Sequence, residues 1–276
     1  MSSAPLPAPM HQRADGRAEL VLGAAPDGAR LRHLYHAAPL RLLFPDTDPG
    51  DPTLGALVNV AGGLAGGDAI ATRLELLDGA RFTATTPAAE KIYRSLGAET
   101  RISSDVVVGD DACCEWLPQE TILFDGARLA RRIEIALAPG ARLLAAEMLV
   151  LGRAARGETL TQGAVLDRWR IRRAGRLAWA DTLRLDDPAA ALGARFALGG
   201  AGALATLLLA APDAADHRAG LRELAGGAAS LVAPGLLVAR WTGEASAVRA
   251  GLGTAIATMR HAAFGHPARL PRLWRT

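Results

Sequence analysis

Lysine is almost missing from this chain. Lys91 stands alone among 31 cationic side chains, and the other cations are arginine. Against them stand 28 acidic residues, a formal excess of +3, so the concentrated basic face of a nucleic-acid reader is not indicated. Aromatics make up only 4% of the chain, too few to line a sugar-binding cleft around paired carboxylates, which sets glycoside hydrolysis aside. Cysteine is limited to Cys113 and Cys114. Neighbours on a strand point to opposite faces, so these two make no disulfide framework, and a reducing, cytoplasmic setting is expected. The longest mainly apolar run, residues 196–211, is interrupted by three glycines and falls short of the roughly 18 to 20 residues that span a bilayer. The opening residues have no charged start followed by an apolar stretch, so residues 1–16 are expected to form a flexible tail rather than a signal peptide. No HExxH, HxH or CxxC spacing occurs. His33 and His36 lie three apart in a strand-like segment, where they face opposite sides.

What is plentiful is punctuation. Gly 30 and Pro 16 amount to about one residue in six, which implies many short elements. Apolar residues alternate at Ile70, Thr72, Leu74 and Leu76, and again at Ile133, Ile135 and Leu137, the period of strands. The tetrapeptide DGAR occurs at Asp27, Asp78 and Asp125, and Asp-Gly is the chemistry of a tight hairpin. The two spacings differ and no longer repeat accompanies them, so they are read first as turns, with a solenoid repeat as the weaker alternative. Near the end the pattern changes: residues 213–224 read as a short helix, 231–232 and 236–241 as strands, and 244–264 as a longer helix stopped by Gly265 and Pro267. With no convincing linker, residues 1–276 are read as one domain.

Four segments stand out chemically. Asn59–Asp68 holds four glycines but fits neither the dinucleotide nor the Walker pattern, leaving a ligand-binding loop or a close backbone crossing. Residues 83–95 gather Thr85, Thr86, Lys91, Tyr93 and Arg94. Lys91 could form a Schiff base if buried, although a solvated or salt-bridged lysine, to Glu90 or Glu115, is the more ordinary outcome. Glu115 and Glu120 could act as acid and base, bind a metal or cap, and Glu147 and Glu158 flank another Gly- and Arg-rich stretch. Arg168, Arg170 and Arg172 alternate with Trp169 and Ile171, as a half-buried strand would.

Taken in order, GGLAGGD (62–68), TTPAAEKIYRS (85–95), LPQETILF (117–124), LGRAARGE (151–158), GLLVARW (235–241) and PRLWRT (271–276) resemble the urease accessory protein UreD family, called UreH in some organisms. The motif positions are Gly62, Gly63, Gly66, Gly67, Thr85, Thr86, Lys91, Tyr93, Arg94, Pro118, Gln119, Gly152, Arg153 and Gly157. The resemblance implies a mainly β, layered, helically wound sheet body with a few helices toward the C-terminus. It implies a non-catalytic maturation chaperone that binds UreF, meets the GTPase UreG, and docks on the urease apoprotein so that nickel can be inserted, with no tightly bound cofactor and no nucleic-acid or membrane partner. Some family members have a histidine shortly before the glycine segment, whereas here Asn59-Val60 stand there. A transit path should hold nickel through weak oxygen ligands; Asp68, Glu120, Glu147 and Glu158 are the carboxylates offered. Of these, Asp68 is expected to line the path and not merely to close a turn. The competing reading is an enzyme or ligand-binding β protein built on the Gly62–Asp68 loop and Lys91.

Overall fold

The alternation at residues 70–76 and 133–137 is the inner face of a sheet wound on itself. The computed structural model describes residues 13–26 and 28–275; of the expected tail, residues 1–12 lie outside them. In chain order the strands are β1 (Asp15–Ala25), β2 (Gly28–Ala37), β3 (Leu40–Leu43), β4 (Thr53–Asn59), β5 (Ala69–Leu76), β6 (Arg81–Thr85), β7 (Glu90–Ile92), β8 (Thr100–Val108) and β9 (Cys113–Leu117). There follow β10 (Thr121–Leu123), β11 (Arg128–Leu137), β12 (Arg142–Leu151), β13 (Ala164–Arg173), β14 (Arg176–Leu185), β15 (Ala203–Ala210), β16 (Ala229–Ala233) and β17 (Leu236–Gly243). The helices are α1 (Pro188–Gly193), α2 (Arg218–Leu224) and α3 (Ala245–Phe264). The fold is mainly β, with coils stacked as in a solenoid.

Each coil contributes one strand to an outer sheet, ordered β14-β13-β11-β8-β5-β1-β2, and one to an inner sheet, ordered β16-β17-β15-β12-β9-β6-β4-β3. A short third wall pairs β7, β10 and the end of β12 in parallel. The winding overturns the reading of DGAR. The first copy does lie at a hairpin, where β1 and β2 pair antiparallel up to Ala25 and Gly28, though Asp27 is outside the described residues. The other two are corners: Asp78-Gly79 turns the chain from the outer to the inner sheet, and Asp125-Gly126 turns it back. Their glycines have φ of 71° and 81°, the left-handed region that Asp-Gly supplies for any tight turn.

The true repeat is hidden between these copies. Asp78 Oδ1 accepts the amide of Asp110 at 2.8 Å, and Asp110 Oδ1 accepts that of Gly140 at 2.7 Å, stitching equivalent corners of successive coils. Each corner then admits a fully buried alanine: Ala80, Ala112 and Ala141. The sequence disguises this because the corner is Asp-Gly, then Asp-Asp, then Pro-Gly, with only the alanine constant. The tail boundary also moves, since Asp15 and Gly16 pair with Ala69 and Ile70.

Two layers of core result. Between the sheets lie Leu20, Leu74, Val106 and Ile133 from one side and Phe82, Cys114, Trp116 and Leu143 from the other. Behind the inner sheet, Cys113, Leu144, Met148 and Leu207 pack against Val248, Leu252, Ile256 and Met259 of α3. The adjacent cysteines therefore serve opposite cores, as strand geometry requires, and burial pushes the Cys113 thiol up to about 12. Covered on both faces, inner strands read as continuous apolar runs, which is why residues 196–211 contain β15. α3 is capped by the Glu244 carboxylate, which accepts the Ala247 amide at 3.1 Å, and ended by Gly265 at φ 67°. Residues 213–224 begin as a 3-10 turn (Ala214–His217) and become α2 only from Arg218. Among the described residues no helix is long and apolar enough to cross a membrane.

Candidate functional site

The motif segments, far apart in sequence, converge at two places. The first is the third wall. Leu64 bridges Ile92, and the β7, β10 and β12 pairings carry that register on through Leu123 to Leu151, a buried ladder with one apolar residue from each coil. The glycines make the close approach possible. A Cβ on Gly63 would lie 2.7 Å from the Tyr93 ring, one on Gly66 would lie 2.0 Å from Ser95 Oγ and 2.6 Å from the Ala98 carbonyl, and one on Gly152 would lie 2.4 Å from the Glu158 carbonyl. Tyr93 donates its hydroxyl to the Gly62 carbonyl at 2.9 Å and meets Phe124 edge-on at 5.1 Å. Arg153 lies 4.1 Å over Phe124 and pairs with Glu158, whose Oε1 also accepts the Asp125 amide at 3.1 Å. The guanidinium holds the Glu158 carboxyl below its ordinary range. Gly157, at φ 68°, lets the loop fold back for this pair. Asp68 belongs to the same framework: Oδ1 accepts the Ala14 amide at 2.9 Å and Oδ2 the Ala65 amide at 2.7 Å. It ties the start of β1 to the glycine loop.

At the start of β7, both oxygens of Glu90 accept from the Asn59 side-chain amide nitrogen, at 3.0 and 3.2 Å. Burial pushes its carboxyl up to about 7, with the Asn59 bond opposing. Lys91 is exposed, with no side-chain hydrogen bond or ion pair among the described residues, so neither the buried amine of a Schiff-base site nor a salt bridge to Glu90 or Glu115 is present. Arg94 is likewise exposed and forms a backbone bridge with Ala127.

The second convergence gathers Thr85, Thr86, Pro118, Gln119 and Glu120 under the C-terminal segment. The Trp274 indole donates to the Leu117 carbonyl at 2.9 Å and to Thr85 Oγ1 at 3.2 Å. Gln119 donates to the carbonyls of Thr86 (3.1 Å) and Leu273 (2.8 Å), and its own Oε1 accepts from Arg249 at 3.1 Å. Arg249 pairs with Glu120 and lies 5.1 Å over the Trp274 ring. Beneath sits a pair that sequence reasoning missed: Arg260 and Glu115, both fully buried, joined at 2.9 Å. Arg260 also reaches Asp51 at 3.0 Å and the Arg269 carbonyl, while Thr83 donates to Glu115 Oε2. A signal existed, since Arg260 continues the Leu252, Ile256 spacing along the apolar stripe of α3. Burial lowers the His266 imidazole below its ordinary value, despite nearby Glu115.

A third arrangement lies between the sheets. A cavity of about 450 Å³, bounded by β12–β15, β17 and the segment around α1, has Glu147 and Asp167 at its wall. Arg131 pairs with Glu147 at 2.5 Å and with Asp167, and donates to Thr121 Oγ1 at 3.1 Å. The Trp169 indole donates to Glu147 Oε2 at 2.8 Å. Burial pushes the Glu147 carboxyl up to about 8; Arg131 pulls against this and Asp167, which shares the guanidinium, adds to it. Arg131 and Asp167 were legible as charged residues on inward positions, between Leu129 and Ile133 and between Val165 and Trp169.

The four carboxylates offered for nickel are therefore not brought together. Asp68 accepts from backbone amides, Glu120 pairs with Arg249, Glu158 with Arg153, and Glu147 pairs with Arg131 at the wall of a cavity. Among the described residues, no three His, Cys, Asp or Glu side chains cluster as a metal ion would need.

Comparison with known proteins is consistent along the whole chain. Residues 14–275 match the family model described as UreD urease accessory protein. The urease accessory protein UreD of Granulibacter bethesdensis is 49% identical, covering 84% of this chain and 99% of that one. Its counterpart in Methylobacterium sp. is 47% identical over the full length of both, and that of Magnetococcus marinus is 43% identical over 89% of each. With the family model spanning nearly every described residue, the chain belongs to the UreD urease accessory protein family.

Proposed function

We propose that this protein is a non-catalytic cytoplasmic scaffold that, with UreF and the GTPase UreG, holds the urease apoprotein while nickel is inserted. Family membership supports the urease role. The observation that carries the scaffold reading is how the motif residues are used. They lock the third wall and the C-terminal segment, with Asp68 held by backbone amides and Glu158 and Glu120 by arginines, which supports a structural use of these positions.

Nickel in this reading is cargo and meets the protein weakly. Of the four carboxylates offered, Glu147 borders the inter-sheet cavity, beside Asp167. Burial and the neighbouring Asp167 raise the Glu147 carboxyl above the ordinary range and Arg131 already occupies it, so a cation must compete with a proton and with a guanidinium to bind there. That favours brief contact, micromolar or weaker, which corresponds to about −8 kcal/mol or less in magnitude.

The test is co-expression of urease and its accessory proteins with this chain, without it, and with Glu147→Gln, reading urease activity and nickel content. Loss of nickel without the chain supports the scaffold. Full nickel loading in its absence overturns it. Normal loading with Glu147→Gln removes the cavity from the route while leaving the scaffold intact.

A further inference from the structure

The arginine-rich strand noted in the sequence has no part in the arrangements above. Arg168, Arg170 and Arg172 all point outward from β13 and are exposed, while Trp169 and Ile171 are buried. Alternate residues on a strand are spaced about 6.7 Å apart, so three guanidinium groups form a row along one face. Arg168 stands directly opposite Arg132 of β11, a like-charge pairing that costs stability on a sheet. Arg132 is matched by Asp105 at 2.9 Å and Arg170 loosely by Glu134 at 3.7 Å. The side chains of Arg168 and Arg172 have no ion pair or hydrogen bond among the described residues. Each has one short cross-strand neighbour, Thr182 beside Arg168, Ala180 beside Arg170 and Ala136 beside Arg172, and one longer one, Arg132, Glu134 and Leu177 in turn. The guanidinium heads therefore stand clear of the sheet.

We infer that this row is a docking ladder for an extended, acidic segment of a partner protein, with carboxylates at every second position. The repeat of such a segment equals that of the strand, so each carboxylate can meet one guanidinium in a two-pronged hydrogen-bonded pair. The positive row supplies the charge complementarity that steers such a partner. A single-stranded nucleic acid would want rings to stack on, yet both tryptophans of this hairpin, Trp169 and Trp179, turn inward against each other at 6.4 Å. This goes beyond the nickel role and does not depend on it.

The test uses the full-length protein and a fluorescein-labelled dodecapeptide of alternating glutamate and serine, followed by anisotropy at low salt. Arg168→Glu with Arg172→Glu should weaken binding about tenfold or more, and the milder Arg168→Gln with Arg172→Gln should fall between. Arg17→Glu with Arg73→Glu, the same charge change at the far side of the same face, should move it less than about twofold. Thermal unfolding confirms that each variant is folded. The inference is overturned by equal losses in both Glu doubles, which means a diffuse field. It also fails if a peptide with all glutamates in one block binds as tightly, if a single-stranded RNA of equal length binds better, or if the alternating peptide does not bind.

Discussion

Removing the Arg260 side chain is the sharpest test of the energetic reasoning. Arg260→Ala leaves Glu115 as a fully buried carboxylate with the Thr83 hydroxyl and, at 3.9 Å, the His266 imidazole beside it, and strips Asp51 and the Arg269 carbonyl of a donor. Breaking a buried pair by removing one partner costs about 3–5 kcal/mol, because the remaining charge keeps its desolvation penalty. For a domain of this size each kcal/mol moves the melting temperature by about 2–4 °C, so the midpoint should drop by roughly 6–20 °C. Limited proteolysis should at the same time open residues 265–275, since the Arg269 anchor is lost. Replacing both partners, Arg260→Met with Glu115→Met, should cost less than Arg260→Ala alone, because no orphan charge remains. A single variant melting within about 2 °C of the parent would mean the pair is solvated in solution and would refute the argument.

Gly66→Ala should destabilise by about 1–3 kcal/mol, because its Cβ meets a backbone carbonyl as well as Ser95, and by more than Gly67→Ala, where φ of 94° is strained but the facing group is the movable Arg13 side chain; denaturant midpoints for the two variants decide the order. Asp68→Ala should lower stability by about 1–3 kcal/mol by orphaning two amides, and hydrogen exchange at Ala14 and Ala65 should quicken; unchanged exchange would contradict the loop-tying role. For Glu147, the folded carboxyl near 8 against 4.5 unfolded means the folded state keeps a proton that the unfolded chain releases. Its contribution is thus fully present below about pH 4.5 and is lost as pH rises toward 8, at up to about 1.4 kcal/mol per pH unit. Glu147→Gln should lack this slope, so its stability relative to the parent should climb with pH across that window in urea titrations.

The outer sheet was legible because it has one dry face and one wet one, so Ile133 and Ile135 announce the strand. The inner sheet was harder. Leu143 to Met148 is buried on both sides and carries no alternation. The winding itself was obscured by DGAR, whose later copies mark opposite corners of a coil, while the Asp78 to Asp110 stitch joins residues with different neighbours. Candidate sites fared similarly. Glycines 63, 66 and 152 could be recognised as backbone-limited, but what they approach depends on which coils stack. Arg131, Asp167 and Arg260 violated their local apolar pattern, and that violation was the available sign of buried charge. Their partners lie in other coils or across the fold, and spacing along the chain says nothing of that.

The clasp formed by Trp274, Leu273 and Arg269 has a consequence for how the molecule is made. Its contacts are to Thr85, Gln119 and Asp51, residues synthesised long before. A ribosome delivers those strands first and must still extrude both helices of the inner layer before the lock can turn. During that interval the outer surface of the nascent inner sheet, including Cys113 and Leu144, lacks its helical cover. Transiently bare apolar sheet is the species most prone to aggregate. The growing chain is thus most vulnerable late in translation, and a product that stops short of α3 carries that vulnerability permanently.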